Sequence, residues 1–267
     1  AGAVHSPHIL MLSGVGPAEE LKKHGIPIVK DLSGVRANLV DHPVVDTYFK
    51  DKMNSSAKWL KPTSISDVFR VLSAVFQYNI LGVGGPLAMN VTRPFYLLFR
   101  NIDALFSSTW SGNRPTSRGA VTLKTANPFD LPSVNPNYLQ TSDDLEKLAR
   151  GVRLSLRIAQ AEPLQPHMEH SFLRPDFDHA THLKSDEEIR KLVTDRVETV
   201  YHPTSTCRMA SLEQNGVVDS KLRVHGNQRP ESLRRLFLPL GLFPDIRYAG
   251  ACFAAAEKLA EEIKAEM

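Results

Sequence analysis

At 267 residues, 42% hydrophobic and 23% charged, the sequence has the length of one large domain or two ordinary ones and the composition of a chain that buries a core. A formal net charge of +3, spread over scattered Lys and Arg, does not suggest a nucleic-acid partner, and Cys207 and Cys252 alone rule out a disulfide scaffold or a cysteine-rich zinc site. No apolar run reaches the roughly 18 residues of a membrane span; even Phe69 to Leu87 is broken by Arg70, Gln77 and Asn79.

The chain opens without methionine on AGAVHSPHILMLSGVG, whose small residues read as a turn followed by a second turn at Ser13 to Gly16. Pro17 suits a first helical position, Ala18 to His24 a helix, and Gly25 its stop. Ile26 to Val29 then reads as a short strand and Ser33 to His42 as a loop. Between about Val44 and Asp195 the texture is mixed α and β with many prolines. Gly119 to Thr125 alternates apolar and polar residues as a half-buried strand does, and Asn127 to Tyr138 is a chain of turns. Leu145, Leu148, Val152, Leu156 and Ala159 mark a helix from about Asp143, with Thr141 and Asp144 as a capping pair and Pro163 as its end. A second helix starts near Ser185, with Glu188 three residues on. A turn at Asn215-Gly216, a strand-like Lys221 to His225 and a closing helix from about Phe253 complete the chain. Asn54-Ser55-Ser56 and Asn90-Val91-Thr92 are N-x-[ST] sequons and point toward secretion.

Single residues leave several chemistries open. One histidine among ten is more often a surface or satisfied group than a base. Asp41-His42 alone suits a cap or a metal pair, but no H-E-x-x-H or similar spacing adds the further ligands a metal needs, so no metal is expected. Ser205 lacks the G-x-S-x-G context of a serine nucleophile.

Read as ordered segments, the residues say more. Gly2-Ala-x-x-Ser6-Pro7-x-Ile9-Leu10-x-x-Ser13-Gly14-Val15-Gly16 resembles the second signature of the glucose–methanol–choline (GMC) oxidoreductases, flavoenzymes that oxidise alcohols. Gly34 to Pro43 resembles that family's G-V-G-x-N-L-x-D-H-P loop, with Arg36 where Gly is usual. Ser117-Arg118-Gly119-x-Val121, with Asn127-Pro128 and Asn135-Pro136-Asn137-Tyr138, resembles its substrate-domain strand and turn. Tyr201-His202-Pro203-Thr-Ser-Thr206-Cys-Arg-Met209 resembles its active-site segment H-P-x-[GS]-T-x-x-M, in the Ser form of fungal aryl-alcohol-oxidase-like members.

The resemblance implies an α/β (α+β) flavoenzyme of two domains. Residues 1–43 and 198–267 would belong to the FAD-binding domain, and 44–197 to a substrate domain on a mainly antiparallel sheet. It implies FAD as cofactor, a small-molecule alcohol as substrate, His202 as the base, and Ser6, Pro7, Ser13, Gly14, Asn38, Leu39, Asp41 and His42 against the flavin and its phosphates. Small residues permit such close backbone approach. Two departures qualify it. No G-x-G-x-x-G occurs, Gly82-Val-Gly84-Gly85-Pro86 being the nearest approach, so the chain is expected to be the C-terminal half of a full-length member. Arg229 to Gly241 does not match the expected strand, and no second active-site His or Asn follows Ile246, which suggests an alternative splice or a misread gene. The rival expectation is an inactive remnant that does not hold FAD alone.

Overall fold

The computed structural model describes residues 1–50, 52, 64–79, 104–111, 114–169 and 177–226, with scattered helical positions from 257 to 265. The opening stretch is a helix, α1 (Gly2–Leu12), where its small residues suggested turns. Its apolar residues form no one-sided stripe, so the helical period is silent. Burial decides instead, with Ala3, Ser6, Pro7, His8, Leu10 and Met11 all covered. Gly14, at φ 81°, reverses the chain after the helix, and a Cβ there would lie 2.4 Å from the Pro27 carbonyl oxygen.

Strands β1 (Val15–Gly16) and β2 (Lys30–Asp31) pair in parallel around helix α2 (Ala18–Lys23). The strand expected at Ile26 to Val29 is thus displaced to Lys30, because Val29 and Lys30 both donate their N–H to the Gly14 carbonyl. Pro17 stands just before α2 in extended conformation rather than inside its first turn. Asp31 Oδ1 accepts the Ala18 N–H at 3.0 Å, satisfying one donor that Pro17 has no side chain to cap.

The backbone clusters into two compact units. The first holds 1–44, 111–148 and 193–267. Its core joins Leu10 and Met11 of α1 to Leu21, Ile26, Leu32, Val35, Leu123, Cys207, Val217, Val218, Leu222 and Val224. Strands β5 (Ala120–Thr122) and β6 (Ser133–Asn135) form an antiparallel hairpin with Val121 opposite Val134. β6 therefore lies inside the stretch read as continuous turns. Lys221 to His225 forms no strand; Leu222 takes φ 61°, and only a single bridge joins Val224 to Val218.

The second unit holds 45–110 and 149–192. It is built on strand β3 (Pro43–Lys50), which enters from the first unit and is flanked by β4 (Ala104–Ser111). Val45 and Phe49 are buried. Thr47 and Ser155 share a buried hydroxyl–hydroxyl bond of 2.7 Å that seats helix α4 (Ser142–Ala159) on the strand. Tyr48 exchanges bonds with Asp178: its N–H donates to the carboxylate at 2.8 Å, and its carbonyl accepts the Asp178 N–H at 2.7 Å. Helix α3 (Ile65–Asn79) also belongs here. Helix α5 (Asp186–Arg196) starts in a reciprocal capping box, with Ser185 N–H on Glu188 Oε2 at 2.8 Å and Glu188 N–H on Ser185 Oγ at 3.3 Å. The corresponding expectation for α4 is met differently. Asp144 turns to accept the N–H groups of Thr116 and Ser117, each at 2.8 Å.

Gly82 to Pro86, both sequons and the irregular stretch from Arg229 to Cys252 lie outside the described residues, as does the start of the closing helix. Glu257, Lys258 and Ala260 are helical.

Candidate active site

His202 sits in a loop tied down at nearly every second residue, all within the first unit. The short strand β7 (Glu198–Thr199) pairs antiparallel with Val44 and Pro43. Tyr201, at φ 62°, returns its N–H to Thr199 Oγ1 at 2.8 Å. The His202 N–H donates to Asp41 Oδ1 at 2.9 Å. Thr204 bridges Val40, its N–H on the Val40 carbonyl at 2.7 Å and the reverse bond at 3.0 Å. Ser205 bends at φ 73°, and the Thr206 carbonyl accepts the Arg36 N–H at 3.0 Å. His202 is exposed as a residue, and its ring stands edge-to-face against the buried ring of His42, centroids 5.5 Å apart.

Asp41 organises this arrangement. Only 8% exposed, its carboxylate accepts the N–H of His42 at 2.9 Å and that of His202 on one oxygen, and the hydroxyls of Thr199 (2.5 Å) and Tyr138 on the other. Four donors, one from the adjacent His42 and three from two remote segments, meet on this carboxylate and satisfy it where it is buried. Burial, and then the bond to Asp41, push the Tyr138 phenol well above its ordinary pKa, so it remains a donor. Tyr138 and Thr206 stood in the recognised segments without a role, and Thr199 carried no signal. Their partners lie far away in sequence.

The other candidates separate into two groups. Asn38 and Leu39 adjoin this loop: Leu39 exchanges backbone bonds of 3.0 and 2.8 Å with Gly119, and Asn38 takes φ 59°. The Nδ2 of Asn38 and the Nε of Arg36 are buried with no hydrogen-bond partner among the described residues. Ser6 and Pro7 are buried in α1, and the first turn of α1 reaches the His202 loop through Thr206, whose hydroxyl donates to the Ala3 carbonyl at 2.6 Å. Ser13 and Gly14 lie at the other end of α1, about 10 Å further along its axis, where Gly14 packs on Pro27 and Val29. Among the described residues no three His, Cys, Asp or Glu side chains could hold a metal. Burial pushes the Cys207 thiol up to about 12, which leaves it a core residue rather than a nucleophile. His8 is held below its ordinary value by burial and by neighbouring His5.

The described residues form a mixed helix-and-strand fold that carries a histidine on a carboxylate-anchored loop, and comparison with known proteins gives its class. Residues 115–229 match the GMC oxidoreductase family model. The oxygen-dependent choline dehydrogenase of Pseudomonas savastanoi pv. phaseolicola is 30% identical over 98% of this chain and 48% of its own length. The alcohol dehydrogenase [acceptor] of Pseudomonas putida is 34% identical over 84% and 43%. A formate oxidase from Aspergillus oryzae, solved in a study of FAD modification, superposes with TM-score 0.76 at 27% identity, over 99% of this chain and 53% of that one. A fungal aryl-alcohol oxidase shares the fold at TM-score 0.65 and 20% identity, over 98% of this chain and 54% of that one. The chain belongs to the GMC oxidoreductases. It spans about half the length of the curated relatives it matches.

Proposed function

We propose that this chain carries the substrate-oxidising histidine of an FAD-dependent oxidoreductase acting on the CH–OH group of a small-molecule alcohol. The observation that carries the reading is the anchoring of His202: its backbone is fixed by Asp41 while the residue remains exposed. A base needs both a fixed origin and an open face toward substrate.

The residues suit the cofactor. Asn38 Nδ2 and Arg36 Nε are buried donors with no acceptor among the described residues, and a flavin dinucleotide is rich in carbonyl and phosphate oxygens. Ser6, Pro7, Asn38, Leu39, Asp41 and His42 would line or support this side, with Ser13 and Gly14 shaping the far end of α1. FAD, when bound, supplies the acceptor for the hydride that leaves the alcohol carbon. His202 takes the hydroxyl proton, so that the electron pair of the O–H bond can form the carbonyl. Asp41 holds the His202 main chain in place, and His42 packs against its ring.

We assign 1–43 and 198–267 to flavin binding and 44–197 to the substrate side. The change of unit between Val44 and Val45 and between Leu192 and Val193 supports this division, although 111–148 clusters with the first unit. The test is alcohol-dependent bleaching of the flavin band near ~450 nm in flavin-loaded protein carrying this sequence, with primary aromatic, aliphatic and quaternary-ammonium alcohols compared. His202→Ala is expected to lower the rate by about 10²- to 10⁴-fold. A variant as fast as the parent would remove His202 from the mechanism.

A further inference from the structure

Pro7 lies inside α1, where a proline has no N–H for the carbonyl four residues back. That carbonyl belongs to Ala3, and the hydroxyl of Thr206, 1% exposed, donates to it at 2.6 Å across 203 residues of sequence. We propose that Pro7 and Thr206 are a matched pair: the proline vacates a helix carbonyl so that Thr206 can tether the His202 loop to the first turn of α1. A buried carbonyl without a donor is costly, so the vacancy obliges the loop to dock. An ordinary residue at position 7 would close the helix on itself and leave the tether optional.

The same residue serves a second segment. The Thr206 carbonyl accepts the Arg36 N–H, so one threonine links α1, the loop holding Asn38, and the loop holding His202. Asp41 and Val40 fix the His202 loop to the 40–42 stretch, whereas Thr206 fixes it to α1. Thr206 is thereby a positioning residue: it sets the height of His202 above the helix start that the proposed function gives to the flavin. Its catalytic meaning rests on that reading, whereas the tether does not.

The experiment is a double-mutant cycle on this chain, read by thermal melting and by amide hydrogen exchange. Thr206→Val is expected to lower Tm by about 4 °C and to speed exchange of the Arg36 and Thr204 amides about tenfold. In a Pro7→Ala background the new amide satisfies Ala3, so the same substitution should cost less than half as much in Tm. The faster local exchange should persist, because the loop is still untethered. Thr206→Ser, which keeps the hydroxyl, should restore both. Equal Tm losses in the two backgrounds would overturn the pairing. Exchange that rises uniformly over the chain, or not at all, would overturn the positioning role. Should Thr206→Val fail to fold, recovery of folding in the double variant supports the pair, and a double variant equally unfolded rejects it. A protein that keeps the tether but bleaches no flavin with any alcohol would sink the proposed function and leave the tether standing.

Discussion

Asp41 concentrates four hydrogen bonds on one buried carboxylate, and removing it strands four donors at once. Asp41→Ala is expected to cost about 3 kcal/mol in urea unfolding, whereas Tyr138→Phe, which removes one of the four, should cost about 1 kcal/mol. Equal costs would show that the other three bonds add nothing once Tyr138 is lost. Asp144 offers a test by pH. Burial opposes its charge, but bonds from Ser117 and Thr116 outweigh this and hold its pKa below the ordinary 3.8. A depressed carboxyl contributes stability above the unfolded value, and this is lost as pH falls below 3.8 toward the folded value. Asp144→Asn should therefore lose stability at neutral pH, and its acid melt should be flatter than the parent's below that point. Arg36 occupies a left-handed backbone at φ 74°, which explains why glycine is usual there in the family-like loop. Arg36→Gly is expected to leave stability unchanged or raise it by up to about 1 kcal/mol.

At the level of elements, the hairpin β5–β6 and the capping box of α5 rest on single residues. Gly119 lies against the returning strand: a Cβ would fall 2.0 Å from the Asn135 carbonyl oxygen, with backbone and not side chain in the way. Gly119→Ala should thus destabilise by about 2 kcal/mol or more, and because Gly119 also bridges Leu39, the loss should appear as faster exchange of the Leu39 amide. Ser185→Ala removes half of the box at the start of α5 and should cost about 1 kcal/mol in a denaturant melt. Both α4 and α5 were legible, since apolar spacing and flanking signals are local properties. Helix α1 was not. Proline, glycine and an all-round apolar pattern hide a helix that exists because the core covers it.

For the whole molecule, the flavin is the measure. The ADP half of a dinucleotide is commonly held by a G-x-G-x-x-G turn and helix start. No such stretch occurs in these 267 residues. Loaded with excess FAD, the chain by itself is expected to release the cofactor on desalting; retention of one flavin per chain would show that α1 and the Asn38 loop suffice. The ordered segments around Ser6, Asn38, Gly119 and His202 were readable because each is a local run of specific residues, and they sufficed to name the family. Which of these residues meet was not readable. The Asp41 hub joins positions 97 to 161 residues apart, and the Pro7–Thr206 pair spans 203, distances at which neither period nor propensity carries information. The sequence by itself determined the family, the long helices and the histidine to watch. Only the tertiary structure decided that Asp41 and Thr206 hold that histidine's loop, because burial and hydrogen-bond satisfaction are properties of the folded neighbourhood rather than of the run.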